Sequence, residues 1–462
     1  FKQKTAYEML RSLVGSEMCI RDRKRGERSE LARLESWQAI REAERCLGCY
    51  DAPCAGACPT RIPVPQFIGR IRTGNLAGAY AALVSANALP AICGLVCPTE
   101  YLCEGACVLT KLAGRPVQIG ALQYFACAAA QVGEELATTK AGRVAVIGGG
   151  PAGIGCALEL RRQGYAVDLY DQHARLGGLI SYAIPHHRLP DAAIEAELVR
   201  LEEAGIQMYL GARLDRTRLA EIFEKYDAVF LGVGLSAAQP LAIPGRGLSG
   251  VWPALDYLDA VRRAARGESK PAGLGLGSRV VVIGGGNVAL DAASVAARAG
   301  AGEVIVLYRR TIAEMPAWRT EYQEAVALGV QFRWLSNVVE IIGQGDRVAG
   351  VRVQRMRLTE PDASGRRGVA PNIGDEEIIP CDAALIAIGQ ALEGEDLREL
   401  GIEVTAAGVV RVAAESWQTS RAGVFAGGDA VRGGSYVVQA IADGMQAARS
   451  IGRYLSSKEV AP

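Results

Sequence analysis

The chain has 462 residues, about three domains at roughly 150 residues each, and with half of its residues hydrophobic and 22% charged it is not a disordered chain. The 51 Lys and Arg against 50 Asp and Glu leave a net charge of +1, which gives no support to nucleic-acid or membrane-surface binding through bulk charge. Twelve cysteines, eight of them between Cys46 and Cys107, stand ahead of a glycine-rich body, a distribution that favours metal ligation in a reducing, cytoplasmic setting over a secreted disulfide scaffold; no apolar run reaches the ~18 residues of a membrane span.

Residues 1–23 carry no secretory signal and resemble a translated sequencing adaptor; they are set aside as a non-native segment, and Cys19 is given no role. From Ser29 to Arg45, Leu31, Leu34, Trp37 and Ile40 recur at three-residue steps and predict an amphipathic helix. A cysteine- and proline-punctuated stretch follows, with helical segments such as Val64 to Arg72, and Ile119 to Leu136 again reads as helix. Nothing here alternates like a sheet, so residues 24–140 are expected to form a small helical, metal-bearing domain.

The cysteines fall in two runs, Cys46-x2-Cys49-x4-Cys54-x3-Cys58-Pro59 and Cys93-x3-Cys97-Pro98-x4-Cys103-x3-Cys107. Thiolates at such short spacings, each run with a Cys-Pro, are similar to ferredoxin-type iron–sulfur ligation, in which one cysteine of a run can serve the other cluster. Structural zinc is the rival, because C-x2-C also opens zinc sites, but the second run does not repeat that spacing. By count alone all eight cysteines could serve two four-iron clusters, Cys93 included.

At Arg143 the pattern changes to βαβ. Val144 to Ile147 is a β-branched strand, Gly148-x-Gly150-x-x-Gly153 follows, then a helix from Ile154 to Gln163 and a second strand, Ala166 to Tyr170, ending at Asp171. The glycines allow the tight turn, close approach of a pyrophosphate and close helix–strand packing; the terminal carboxylate accepts ribose hydroxyls. The arrangement recurs: Arg279 to Ile283, Gly284-x-Gly286-x-x-Ala289, a helix to Ala299 and a strand Val304 to Leu307. This second unit ends in Arg309 and Arg310 with no acid, which leans to a 2′-phosphate and hence NADPH over NADH; a solvated strand end is the plain alternative. Glu360 to Asp375 reads as a loop or hairpin excursion. Late in the chain Val424-Phe-Ala-Gly-Gly-Asp429 is a strand ending in a carboxylate, followed by a helix from Tyr436 to Leu455. Cys156 and Cys381 are isolated and read as buried apolar residues; His173, His186 and His187 read as a polar loop.

Residues 142–456 resemble the two-dinucleotide-binding flavoproteins: an α/β fold of two Rossmann-like domains, the first for FAD and the second for NAD(P)H, with the chain returning to the first. The resemblance implies FAD contacts at Gly148, Gly150, Gly153, Asp171, Gly177, Gly178 and Asp429, nicotinamide-nucleotide contacts at Gly284, Gly286, Ala289, Arg309 and Arg310, and chain crossings at Leu231–Gly234 and Ile386–Gly389. Domain limits follow as 141–265 and 391–462 for the FAD domain and 266–390 for the NAD(P)H domain. The stretches CLGCYDAPCAGACPT, CGLVCPTEYLCEGAC and IGALQYFA resemble the N-terminal domain of dihydropyrimidine dehydrogenases and of their bacterial electron-input subunits. That likeness implies two 4Fe-4S clusters, one on Cys46, Cys49, Cys54 and Cys107, the other on Cys58, Cys97, Cys103 and Gln123, with Cys93 spare. GGLISYAIPHHRLP and YRRTIAEMP resemble glutamate synthase small subunits more loosely; lacking the glutamine ligand, these rank second. The expected function is transfer of electrons from NAD(P)H through FAD and two clusters to a partner. The partner is an FMN/iron–sulfur subunit reducing uracil or thymine or, as the alternative, a glutamate synthase large subunit. The non-enzymatic alternative is a zinc-bearing assembly module.

Overall fold

The computed structural model describes residues 34–130, 137–235, 237–268, 276–361, 365 and 367–460; the adaptor-like segment and the ends of two predicted helices lie outside them. The first part is built from helices Ser36–Glu44, Val64–Arg72, Leu76–Ala86, Pro90–Val96 and Ile119–Ala129, with short turns of helix at Pro53–Gly56 and Val108–Leu112. Pro53, Pro65 and Pro90 sit in first turns, where a missing N–H costs nothing, and Asn75 caps its helix by accepting the Gly78 N–H at 2.8 Å. Phe67, Ile71, Leu83, Ile92 and Leu122 close the core.

The face expected for the first helix is wrong. Trp37 and Ile40 point outward, and Ala39, Glu42 and Ala43 are the buried residues. Steps of three slip by ~60° each around a 3.6-residue turn, so residues so spaced drift off any single face.

Two five-stranded sheets follow, each wholly parallel. The first runs Val424–Ala426, Ala228–Leu231, Arg143–Ile147, Ala166–Tyr170, Gln207–Tyr209 across its width; the second runs Val251–Pro253, Ala383–Ile386, Arg279–Ile283, Glu303–Tyr308, Gln331–Trp334. Parallel sheets need covering on both faces, and the uninterrupted apolar runs at Val144–Ile147 and Val280–Ile283 are buried accordingly. Strand Val424–Ala426 inserts beside Ala228–Leu231 after the whole second unit has intervened, so the chain returns to its first sheet. Where it crosses, Ala237–Ala238 pairs antiparallel with Gln390–Ala391, zipping the outgoing and returning segments together. The excursion is larger than the sequence suggested: Ser336–Gln344, Arg347–Pro361 and Arg367–Pro380 form a three-stranded antiparallel sheet.

The core of the helical part runs without a break into the first α/β unit. Polar ties reinforce it: the Ala91 N–H donates to Glu197 Oε1, and Arg200 Nη1 to the Ala88 carbonyl, both at 2.5 Å. Among the described residues no single helix is long and apolar enough to cross a membrane; the apolar pair Leu76–Ala86 and Pro90–Val96 is bent by 85° and packs within the helical core.

Candidate functional site

The eight clustered cysteines sort into two groups, and the sorting crosses the two runs. Cys46, Cys49, Cys54 and Cys107 line one cavity, with Leu47 and Ile68. Cys58, Cys93, Cys97 and Cys103 line a second, with Asn87, Gln123 and Val438. Thus Cys107, from the second run, joins three cysteines of the first, and Cys58 does the reverse. Helix Ile119–Ala129 packs back on Pro90–Val96 and Leu76–Ala86 and so brings Gln123 to the second cavity. All eight are free thiols, and they feel one another. Burial, with Cys107 and Cys46 beside it, pushes the Cys54 thiol up to about 11. Cys97 is raised well above the ordinary range by its contact with Cys93, then by burial. Such thiols must lose protons when they take a metal. A single zinc ion needs four donors within ~2.3 Å of one centre, whereas each of these cavities is ringed by four thiols around a space. Thiols spread around a cavity fit a polynuclear cluster better than zinc.

The second cavity contains one donor more than a four-iron cluster needs. Gln123 is 4% exposed and its Nε2 donates to the Pro90 carbonyl at 2.6 Å, which pins its amide; Cys93 sits in the same wall. The structure brings both candidates for the eighth ligand to one place.

In the first α/β unit Gly148 has φ +100° and a Cβ there would lie 2.4 Å from the Gly232 carbonyl oxygen; one on Gly153 would lie 1.8 Å from that of Gly148. Only glycine fits either position. At Gly150 a Cβ would meet nothing closer than 4.0 Å, and at Gly286 nothing at all: these are the open sides of the two turns, at the N-termini of helices Pro151–Arg162 and Asn287–Arg298, whose positive ends suit an anionic group. Ala289 is fully buried against the second sheet. Gly178 approaches Gly150 closely, its Cβ position 3.1 Å from Gly150 Cα, and Gly177 holds φ +111°. Asp171 Oδ2 accepts the Gly149 N–H at 2.7 Å and Oδ1 the His173 N–H at 2.7 Å; a carboxylate has acceptor sites to spare for ribose hydroxyls. Asp429 opens the helix Asp429–Arg432, accepts Ser435 Oγ at 2.7 Å, and is raised from its ordinary pKa by burial.

Arg309 and Arg310 part company. Arg309 is exposed at the strand end and meets no described partner, whereas Arg310 is buried and its Nε donates to the Arg367 carbonyl at 2.9 Å. Arg310 ties the strand end to the antiparallel sheet through Nε, and of the two arginines it is Arg309 that stands exposed without a described partner. Cys156 and Cys381 are buried, as expected.

Several residues had no sequence signal. Asp443, fully buried, accepts Arg432 Nε at 2.6 Å, Gln439 Nε2 at 2.9 Å and the Gly428 N–H at 3.3 Å, bracing the turn that carries Asp429. Trp318 and Tyr436, 5.8 Å apart, bring the two units together. Arg188 of the first unit donates to Asp291 Oδ1 of the second at 2.6 Å and contacts Glu321. The three histidines each lie beside a carboxylate: His173 by Asp171, His186 by Asp191, His187 by Glu324.

Residues 142–444 match the pyridine nucleotide-disulphide oxidoreductase family, and residues 23–134 match a family described as dihydropyrimidine dehydrogenase domain II, 4Fe-4S cluster. The chain is 38% identical over 430 residues to a glutamate synthase (NADPH) small chain of Halomonas elongata, covering 90% of this chain and 91% of that one. It is 33% identical over 422 residues to the NAD-dependent dihydropyrimidine dehydrogenase subunit PreT of Escherichia coli O157:H7, covering 90% and 94%. The order expected from sequence, with dihydropyrimidine dehydrogenase first, is therefore reversed. Among solved structures, Mycobacterium tuberculosis FprA in complex with NADPH aligns with TM-score 0.58 at 19% identity, over 69% of this chain and 86% of that one, a likeness of fold.

Proposed function

This chain belongs to the pyridine nucleotide-disulphide oxidoreductase family, and on that footing we propose that it is the NADPH-dependent electron-input subunit of a two-component enzyme of the glutamate synthase type. The carrying observation is the sorting of eight thiols into two cavities of four on a domain whose core is continuous with a two-dinucleotide fold. When bound, a flavin in the first unit and NADPH in the second would supply the conversion between two-electron and one-electron chemistry, and the thiols of the two cavities would hold the 4Fe-4S clusters that carry single electrons. The remaining roles belong to the chain. Gly148, Gly150, Gly153, Gly177, Gly178 and Asp171 would cradle the FAD pyrophosphate and ribose, Asp429 the flavin side, and Gly284, Gly286, Ala289 and Arg309 the NADPH. We assign residues 24–140 to the cluster domain, 141–265 and 391–462 to the FAD domain and 266–390 to the NADPH domain.

Placement gives the two cavities different duties. The second is walled partly by Val438, on the helix that packs against Pro151–Arg162, so it faces the flavin domain. Around the first, Leu47 is 58% exposed and Tyr50 fully exposed; an apolar edge beside half-exposed thiols suits a partner subunit. The proposal places the chain in the cytoplasm, where thiols stay reduced. Purified protein with bound flavin and iron should oxidise NADPH with an artificial acceptor, and should support glutamate formation when a glutamate synthase large chain is supplied. Failure to oxidise NADPH despite full cofactor content overturns the reading.

A second reading, input subunit of a dihydropyrimidine dehydrogenase, is favoured by Gln123 in the wall of the second cavity beside Cys58, Cys97 and Cys103. It requires uracil reduction with a supplied FMN/iron–sulfur subunit and none by the chain alone.

A further inference from the structure

Asn87 follows the Leu76–Ala86 helix, in the loop that leads into Pro90–Val96, and is 1% exposed. Its Oδ1 accepts the Leu89 N–H at 2.9 Å. A backbone N–H can only donate, so the end of the amide facing Leu89 is the oxygen, and the NH2 group must face the other way. Asn87 shares the wall of the second thiol cavity with Cys58, Cys93, Cys97, Cys103 and Gln123, and the cavity is the space among these residues that the NH2 group could serve. The Nδ2 atom is buried and has no hydrogen-bond partner among the described residues, none of these sulfurs included. Buried amide donors in native proteins are satisfied, and an NH2 group brings two protons that need an acceptor. The thiols around it do not supply one, so the acceptor is whatever fills the cavity.

We propose that Asn87 Nδ2 donates a hydrogen bond to an inorganic sulfide of the cluster held in this cavity, and so sets that cluster's reduction potential above what its thiolate ligands alone would give. This rests on the iron–sulfur reading of the cavity. Reduction adds negative charge to the cluster, and an N–H aimed at its sulfur stabilises the reduced form more than the oxidised one. Asn87 is a positioning and tuning residue, not a ligand. It acts on the cavity that faces the flavin domain, where a raised potential favours the first transfer out of the flavin. The first cavity has no counterpart of this residue in its wall and serves as an internal control.

The test is a redox titration of the full chain followed by electron paramagnetic resonance. In Asn87→Ser the hydroxyl still accepts from Leu89 but is too short to reach the cavity; Asn87→Leu keeps the bulk and removes the donor. Both should lower the midpoint potential of one cluster, leave the other unchanged and retain full iron and sulfide. Unchanged potentials in both variants, with clusters intact, overturn the proposal. Should neither variant load its clusters, the wild-type chain decides: with 15N confined to asparagine, electron–nuclear double resonance should show a nitrogen coupling to one cluster signal. Its absence overturns the proposal. Wild-type protein that carries zinc or no clusters overturns the iron–sulfur reading itself, an outcome separable from the others by metal content.

Discussion

Arg188→Met tests how the two nucleotide units are held together. Arg188 sits between Asp291 and Glu321, and all three side chains are under 20% exposed. Burial raises the pKa of Asp291, against the pull of Arg188. Burial also drives Glu321 up to about 8, against Arg188, with the Asp291 and Glu324 carboxylates adding to the rise. Glu324, by contrast, is held at about 2 by His187, whose Nε2 lies 3.5 Å away, and by Arg298. Removing the guanidinium leaves two facing carboxylates buried without their cation, and loss of one partner from such a group costs roughly 3–5 kcal/mol. The sign with pH follows from the raised values. Between about 4.5 and 8 the unfolded chain has released the Glu321 proton that the folded chain keeps, so stability falls as pH rises through that window. Removing Arg188 can only push Glu321 higher still, so below pH 8 both proteins keep that proton and the cost of Arg188→Met should grow as pH rises through about 8, where the wild-type carboxyl ionises and the variant's does not. Urea unfolding, with hydrogen exchange read over residues 185–191, measures both the global loss and local opening at the junction. The triple variant Arg188→Met, Asp291→Asn, Glu321→Gln should recover most of the loss, because a wholly neutral set has no charge left to desolvate. A loss below ~1 kcal/mol at pH 8, or a triple variant no better than the single one, would refute the reasoning.

Cys93→Ala should keep both clusters and Gln123→Ala should lose or alter one; iron and sulfide content with electron paramagnetic resonance decides, and the opposite pattern makes Cys93 the eighth ligand. Gly150→Val should abolish flavin binding, while Gly286→Val should keep the flavin yellow but leave it unreduced by NADPH, as seen by absorbance in anaerobic titration. Arg309→Ala should raise KM for NADPH several-fold more than for NADH through loss of a charge-assisted contact. Arg310→Ala should instead cost about 1 kcal/mol of stability through loss of its hydrogen bond to the exposed Arg367 residue, with a smaller change in nucleotide preference than Arg309→Ala. Equal KM effects of Arg309→Ala on both nucleotides would leave the 2′-phosphate unread by that residue.

Local features were legible and distant ones were not. The strand–Gly-rich turn–helix units at Arg143 and Arg279 follow from residues within one short stretch, and strands Ala166–Tyr170 and Arg279–Ile283 fall where expected. The role of Arg310 turned on the Arg367 carbonyl, 57 positions away on a hairpin whose polar sequence hid its strands. The Arg188–Asp291 tie joins residues 103 apart, and no pattern in either segment announces the other. The three-residue spacing of Leu34, Trp37 and Ile40 misled because partner surfaces, not periodicity alone, decide which face is buried. Spacing singled out the eight cysteines as candidates for metal ligation; which four share a cavity depended on how the helices pack.

The exchange of Cys58 and Cys107 between the two cavities has a consequence for the life history of the protein. On the proposed ligation, neither site is a local loop that can close by itself during synthesis. The first waits until the chain has emerged past Cys107 and the second past Gln123, so neither metal centre can be completed from the first cysteine run alone. The same interleaving works in reverse under oxidative attack: destruction of the exposed centre cuts a strut that also positions the buried one, because Cys54 and Cys58 lie on a single turn. Damage at the outer edge would thus spread inward, and partial loss of iron should be a short-lived state on the way to complete loss.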